Sequence, residues 1–187
     1  MSTKMICIAS LLLVSSHALG EPLRFATYPD VSADQVVFVY RDAIWIAPVA
    51  DGAAQLLSDI GERPRNPKFS ADGQKVAYAA SVDDNQDIYV ASLSGGDIRR
   101  VTYHPARDDM VDWHPDGKSL LFKSTMQSPR AIYNRLFKVD AAGGLPEVLP
   151  LPYVETAAIS GDGSQLMFTY LRGFREGVGK RYLGRRA

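Results

Sequence analysis

Few side chains in this sequence are of a kind and spacing that could do chemistry. The segment "VTYHPARDD" sets His104 four and five residues before Asp108 and Asp109, the residue types of a general base and the carboxylates that orient it. Such a base needs a nucleophile, and the sequence has no G-x-S-x-G elbow to present one. His104 also falls in a connection between repeats, so a structural role is the simpler reading. His114, in "WHPDG", occupies the slot that Ser70 and Ser160 hold in sister segments, which marks it as a turn residue. "SVDDNQDIYV" groups Asp83, Asp84, Asn85 and Asp87, oxygen donors of the kind a hard cation takes. The sixth-position Gly and twelfth-position Glu of an EF-type loop are missing. Asx side chains that satisfy their own turn explain the run more simply. Neither a phosphate-cradling glycine loop nor a thiolate cluster occurs. The sequence therefore assigns no catalytic residue, no cofactor and no metal ligand.

The elements that would position these residues are repeated strands. Asp72-Gly73, Asp116-Gly117 and Asp162-Gly163 recur 44 and 46 residues apart. Each pair separates two short apolar segments: Phe69 from Val76 and Tyr78, Trp113 from Leu120 and Phe122, Ile159 from Leu166 and Phe168. Asp-Gly between alternating apolar runs signals a hairpin, since glycine accepts the positive φ that the turn demands. These six residues are assigned as structural turns. A second phrase interleaves with the first, in "AIWIAPVADGAAQLLS", "DIYVASLSGGDIRRVT" and "RLFKVDAAGGLPEVLP". Its turns end at Gly52, Gly96 and Gly144, 44 and 48 residues apart. "VSADQVVFVY" is a degenerate first copy, with Asp34 and no following glycine. Each unit thus supplies about four strands in roughly 40–48 residues, the size of a propeller blade. One such sheet has two apolar faces that only neighbouring sheets can cover. A β-sandwich also uses short strands but gives no reason for a phrase-level repeat. The aromatics Phe38, Trp45, Tyr89, Phe122, Phe137 and Phe168 are expected to pack between blades. The predicted fold is all-β, a partial β-propeller of about three and a half to four four-stranded blades.

Residues 1–20, "MSTKMICIASLLLVSSHALG", combine Lys4, an apolar stretch and a small-residue end. That is the layout of a secretory signal peptide, and the stretch is too short to span a bilayer. The one cysteine, Cys7, lies inside it, so residues 21–187 contain none; an exported, periplasmic or extracellular location is expected. The formal net charge is zero, with 14 basic and 20 acidic residues over 21–171 and six basic residues against Glu176 from 172 onward. An acidic body argues against a nucleic-acid partner, and no later stretch reads as a membrane span. Blades are assigned to residues 21–172. Residues 173–187 read as a basic tail, either disordered or the start of a further blade.

The paired phrases "FSADGQKVAYAA" and "DIYVASLSGGDIRRVTYH" resemble the WD40-like (PD40) repeat of TolB-type propellers. A longer resemblance runs through "RFATYPDVSADQVVFVYRDAIWIAPVADGAAQLLS", "RRVTYHPARDDMVDWHPDGKSLLFKS" and "RLFKVDAAGGLPEVLPLP". Over residues 24–172 the chain is similar to the opening blades of bacterial tricorn-type serine peptidases of the S41 type. "FREGVGKRYLG" is similar to that family's Lys-Arg-Tyr-rich run, with extra residues around Gly177-Val178-Gly179. The resemblance implies a six-bladed first propeller, a second propeller, a PDZ module and a catalytic domain in the later regions. It therefore transfers no catalytic residue to this chain.

What the resemblance implies is a non-catalytic propeller portion of an exported peptidase, binding or gating peptides for a catalytic domain elsewhere. Arg and Asp side chains between blades would meet the peptide termini. The expected partners are peptides or unfolded protein segments and the remaining domains of the peptidase. Open blade edges also invite self-association. The alternative is a TolB-like periplasmic protein-binding module without enzymatic activity.

Overall fold

The computed structural model describes residues 25–130, 132–172 and 175–182. Among the described residues fifteen strands form four antiparallel sheets, each a meander in chain order. The first sheet contains β1 (Thr27–Val31), β2 (Gln35–Tyr40), β3 (Ala43–Pro48) and β4 (Gln55–Ser58). The second contains β5 (Glu62–Phe69), β6 (Lys75–Val82), β7 (Asn85–Ser92) and β8 (Arg99–Arg100). The third contains β9 (Asp108–Trp113), β10 (Ser119–Ser124), β11 (Arg135–Asp140) and β12 (Glu147–Val148). The fourth contains β13 (Val154–Ile159), β14 (Gln165–Arg172) and β15 (Arg175–Tyr182). The first strands meet in succession, β1 against β5, β5 against β9 and β9 against β13. The sheets are therefore blades fanned about a common axis, three of four strands and one of three.

Alternation along each strand builds the contacts between blades. On β6, Val76, Tyr78 and Ala80 face the first blade, while Ala77 and Ala79 face the third. On β10, Leu120 and Phe122 face the second blade and Leu121 faces the fourth. Three apolar layers result, one per junction. A fully buried residue such as Leu166, Ile88 or Phe122 contributes about 1.5–3 kcal/mol relative to exposure. Polar bonds stitch the same junctions. Asp30 accepts from Lys68 Nζ and Phe69 N at 2.9 Å each, and Trp113 Nε1 donates to Lys68 O at 2.9 Å. The hydroxyls of Ser58 and Tyr78 are 2.6 Å apart.

Tyr89, Phe122, Phe137 and Phe168 lie in these layers, as the alternation predicts. Phe38 and Trp45 do not. They are cross-strand partners on the face of the first blade that looks away from the second. Trp45 Nε1 donates to Tyr40 O at 3.0 Å, so the indole is held against its own sheet. At the other end of the chain, β15 pairs with β14 from Arg172↔Arg175 to Gln165↔Tyr182. The fourth sheet thus continues past residue 172, the end of the blades in the sequence reading. Alternating apolar residues are scarce in "REGVGKRY", which hides the strand from a pattern search. Residues 1–24 lie outside the described residues, and with them the segment read as a signal peptide.

Candidate functional site

A meander puts its turns at two ends, and the two ends differ chemically. The Asp-Gly turns close one end. Ser70 Oγ donates to Asp72 Oδ1 at 2.6 Å, and Gln74 N donates to the same oxygen at 3.0 Å. Asp162 repeats this with Ser160 and Ser164. The glycines that follow, Gly73 and Gly163, sit at φ 67° and 70°, whereas Asp72 and Asp162 keep negative φ. These are four-residue type I turns ending on a left-handed glycine, not two-residue Asp-Gly turns. Hydrogen bonds from Ser70 and Gln74 lower the pKa of Asp72, and those from Ser160 and Ser164 hold that of Asp162 down to about 2.

The third copy, Asp116-Gly117, is built with His114 in the serine slot. His114 Nδ1 accepts from Asp116 N at 3.1 Å. Burial, then Lys138, lowers its pKa, so the ring is neutral and accepts, and the 3.0 Å approach of Asp116 Oδ2 is not an ion pair. Asp116 is ionised and receives Lys118 N, Ser119 N, Ser119 Oγ and Lys138 Nζ. Burial opposes the charge, but those bonds outweigh it and hold the carboxyl far below its usual range. All six turn residues thus serve the turns themselves.

At the opposite end lie the β2–β3 and β6–β7 turns and the connectors between blades. Asp83-Asp84 is a two-residue turn with φ 50° and 60°, and Arg41-Asp42 is its counterpart at 48° and 55°. These are type I′ turns made without glycine. Asn85 Nδ2 donates to Asp87 Oδ2 at 2.8 Å and to His104 O at 3.1 Å. Asp87 faces Arg100, 2.6 Å away. The oxygen donors of this run are thereby divided between a turn and an ion pair rather than converging. His104 is exposed and its Nδ1 accepts from Ala106 N at 2.9 Å. Among the described residues it makes no bond to Asp108 or Asp109, so the base and orienters suggested by "HPARDD" are not assembled.

What this end does assemble is a group of arginines that the sequence reading left unnamed. Between the second and third blades, Arg63, Arg65 and Arg107 line a pocket of about 180 Å³ with Asp84, Asn85 and Gln86. Backbone irregularity puts two of them there. β5 carries two bulges, between Glu62 and Arg65 and between Arg65 and Lys68. Arg63 and Asn66 hold the extra residues at φ 49° and 47°, a conformation that costs a non-glycine residue about 1–2 kcal/mol. The strand enters through Gly61 at φ 77°, where a Cβ would meet the Ser81 carbonyl oxygen at 2.7 Å. Arg107 comes from the connector and reaches Asp109 at 3.3 Å. Gln86 Nε2 fixes that connector by donating to Asp108 O and Asp109 Oδ1, both at 2.7 Å. Arg65 Nε is buried and has no hydrogen-bond partner among the described residues. A buried guanidinium N–H without an acceptor costs about 1–3 kcal/mol, which an anionic ligand would recover.

The tricorn protease N-terminal beta propeller domain model matches residues 23–187. Tricorn protease homolog 1 of Streptomyces coelicolor is 30% identical over 128 residues, 67% of this chain and 12% of that protein. The chain spans 12–13% of the length of that protein and of two further tricorn relatives. The crystal structure of the tricorn protease matches with TM-score 0.68 at 23% identity, over 77% of this chain and 15% of that one. A putative TolB from Agrobacterium tumefaciens matches with TM-score 0.70 at 19% identity, over 86% and 64%. At these identities the structural matches show the propeller fold. With the family model spanning nearly the whole sequence, this chain belongs to the tricorn protease N-terminal β-propeller family.

Proposed function

We propose that this chain is the non-catalytic propeller portion of an exported tricorn-like serine peptidase, and that it binds or gates peptides for a catalytic domain elsewhere. The observation that carries the reading is the Arg63/Arg65/Arg107 pocket with its unpaired, buried Arg65 Nε. Three guanidiniums at the mouth of a blade junction suit a carboxylate, because each presents donors in a planar fork. Asp84 on the same rim would turn away a second negative charge. The pocket thus receives the carboxylate end of an extended peptide. Export rests on the layout of residues 1–20. The outward face of the first blade, with the partly buried Trp45 and the exposed Leu56, is where another blade of the peptidase would pack, or a second copy of the isolated chain.

The test is fluorescence anisotropy with an end-labelled unstructured octapeptide, supplied as free acid and as C-terminal amide. Binding by the free acid, lost on amidation and weakened about tenfold or more by Arg65→Gln, is the expected result. Thermal melting confirms that the variant is folded. Equal binding of acid and amide, or unchanged affinity in folded Arg65→Gln, overturns the assignment.

A further inference from the structure

Two carboxyls are buried where the second and third blades meet, and of the two only Asp87 has a cationic partner, Arg100. Asp87 on β7 is 0% exposed and Asp108 at the start of β9 is 1% exposed. Asp87 takes the available partners: Arg100 at 2.6 Å, Asn85 Nδ2 at 2.8 Å and Thr102 Oγ1 at 3.3 Å. Neither oxygen of Asp108 has a hydrogen bond of sound geometry. The hydroxyls of Thr102 and Ser124 stand beside it, and the Thr102 hydroxyl is already shared between Ile88 N and Asp87. On its own strand Asp108 is followed by Asp109, which faces Arg107 and Gln86. β10 offers only the buried Ser124, since Lys123 turns to Glu155 on the fourth blade. Arg100 is committed to Asp87, to Thr102 O and to the Tyr103 ring. Arg63 and Arg65 on β5, which packs against β9, line the neighbouring pocket and form no ion pair with Asp108. Among the described residues its carboxyl has no cationic partner, and an unpaired buried carboxylate is strongly unfavourable.

We propose that Asp108 is a proton-operated latch: protonated, it lets the second and third blades close on each other, and ionised, it loosens the connector 101–107 that joins them. The connector holds Val101 N on Ile88 O at 2.8 Å and carries Arg107 to the pocket rim. The latch therefore sets how firmly that arginine is placed, although its test is independent of any peptide. Burial is the main influence on Asp108 and raises its pKa to about 6, with Asp87 and Asp109 adding to the rise. When the junction opens, the carboxyl returns to an ordinary value near 3.9. The closed form then binds the extra proton between those two values. Closure is firmest near pH 4, weakens as pH rises and levels off above about pH 6.

The experiment is amide hydrogen exchange at Ile88 and Val101 between pH 4.5 and 7, corrected for intrinsic exchange, in the wild type and in Asp108→Asn. Local opening should rise about twentyfold more across that range in the wild type than in Asp108→Asn. Asp87 and His114 are unchanged in the variant, so their titration is common to both proteins. A carboxyl NMR titration of Asp108 in the wild type covers the case in which the variant does not fold. A midpoint near 6 supports the latch. An ordinary midpoint near 4, a flat wild-type profile, or an equal rise in Asp108→Asn each overturns it.

Discussion

If the blades are held up by one another, the cost of removing a side chain depends on whether a neighbouring blade covers it. Phe122 and Trp45 make the comparison, because both are aromatic, both sit on a central strand and both have an aromatic neighbour. Phe122 is 0% exposed. It stacks on Phe137 with ring centroids 5.4 Å apart and packs against Ala77, Ala79, Ile88 and Val90 of the second blade. Phe122→Ala should therefore cost about 3–5 kcal/mol, the lost transfer energy plus the cavity that a rigid interface cannot collapse. Trp45 lies on the outward face, with Tyr40 in edge contact at 6.3 Å and no blade above it among the described residues. Trp45→Ala should cost about 1–2 kcal/mol, the indole being only partly buried and resting on its own sheet. Equilibrium urea unfolding followed by circular dichroism reads both values, and an unchanged m-value would show that the same surface unfolds. Against a total stability of about 5–15 kcal/mol, the difference is large. A cost for Phe122→Ala below about 1 kcal/mol, or one no greater than that of Trp45→Ala, refutes burial between blades as the main support of the fold.

Two further predictions concern the turns. The Asp116 carboxylate receives four hydrogen bonds and holds an acidity well above the ordinary, so its stabilisation is present above about pH 4 and fades as pH falls toward its own low pKa. Asp116→Asn should lower stability by about 1–2 kcal/mol at pH 7, and calorimetry should show the deficit narrowing below pH 4; a deficit independent of pH would refute it. Arg41 and Asp42 hold left-handed φ in a two-residue turn. Replacing them together with Asn-Gly should raise stability by about 1 kcal/mol, and a fall in melting temperature would show that their side chains matter more than their backbone.

How much of this was legible depended on whether a backbone demand left a mark on residue type. The left-handed positions Gly73, Gly117 and Gly163 were visible because the turn selects glycine, and their regular spacing betrayed the blades. The same φ at Tyr28, Arg63 and Asn66 left almost none. Its only trace is the recurrence of proline after each of them, in Tyr28-Pro29, Arg63-Pro64 and Asn66-Pro67. Those bulges turn the inner strand, and without them nothing in "GERPRNPKF" says that Arg63 and Arg65 share a pocket with an arginine some forty residues on. Asp108 was visible in the sequence as an acid four residues after His104, a pairing set aside there and not formed in the fold. Its meaningful neighbour is Asp87, 21 residues earlier, brought near only when two blades close.

The contrast between the two ends of the blades shows where function can reside. At the Asp-Gly end the serine, aspartate and lysine groups are consumed by one another, as the lowered pKa values of Asp72, Asp116 and Asp162 record. Groups so fully paired have little to offer a ligand. At the connector end, Arg65 Nε and the Asp108 carboxyl are buried without partners, and Arg63 sits on a backbone conformation it does not favour. A fold that repeats one well-satisfied turn three times has no difficulty satisfying a fourth. Among the described residues the unsatisfied side-chain atoms are those of Arg65 and Asp108 at the second junction and Ser128 Oγ in the β10–β11 connection, and the first two are the groups that the proposed ligand and proton would complete.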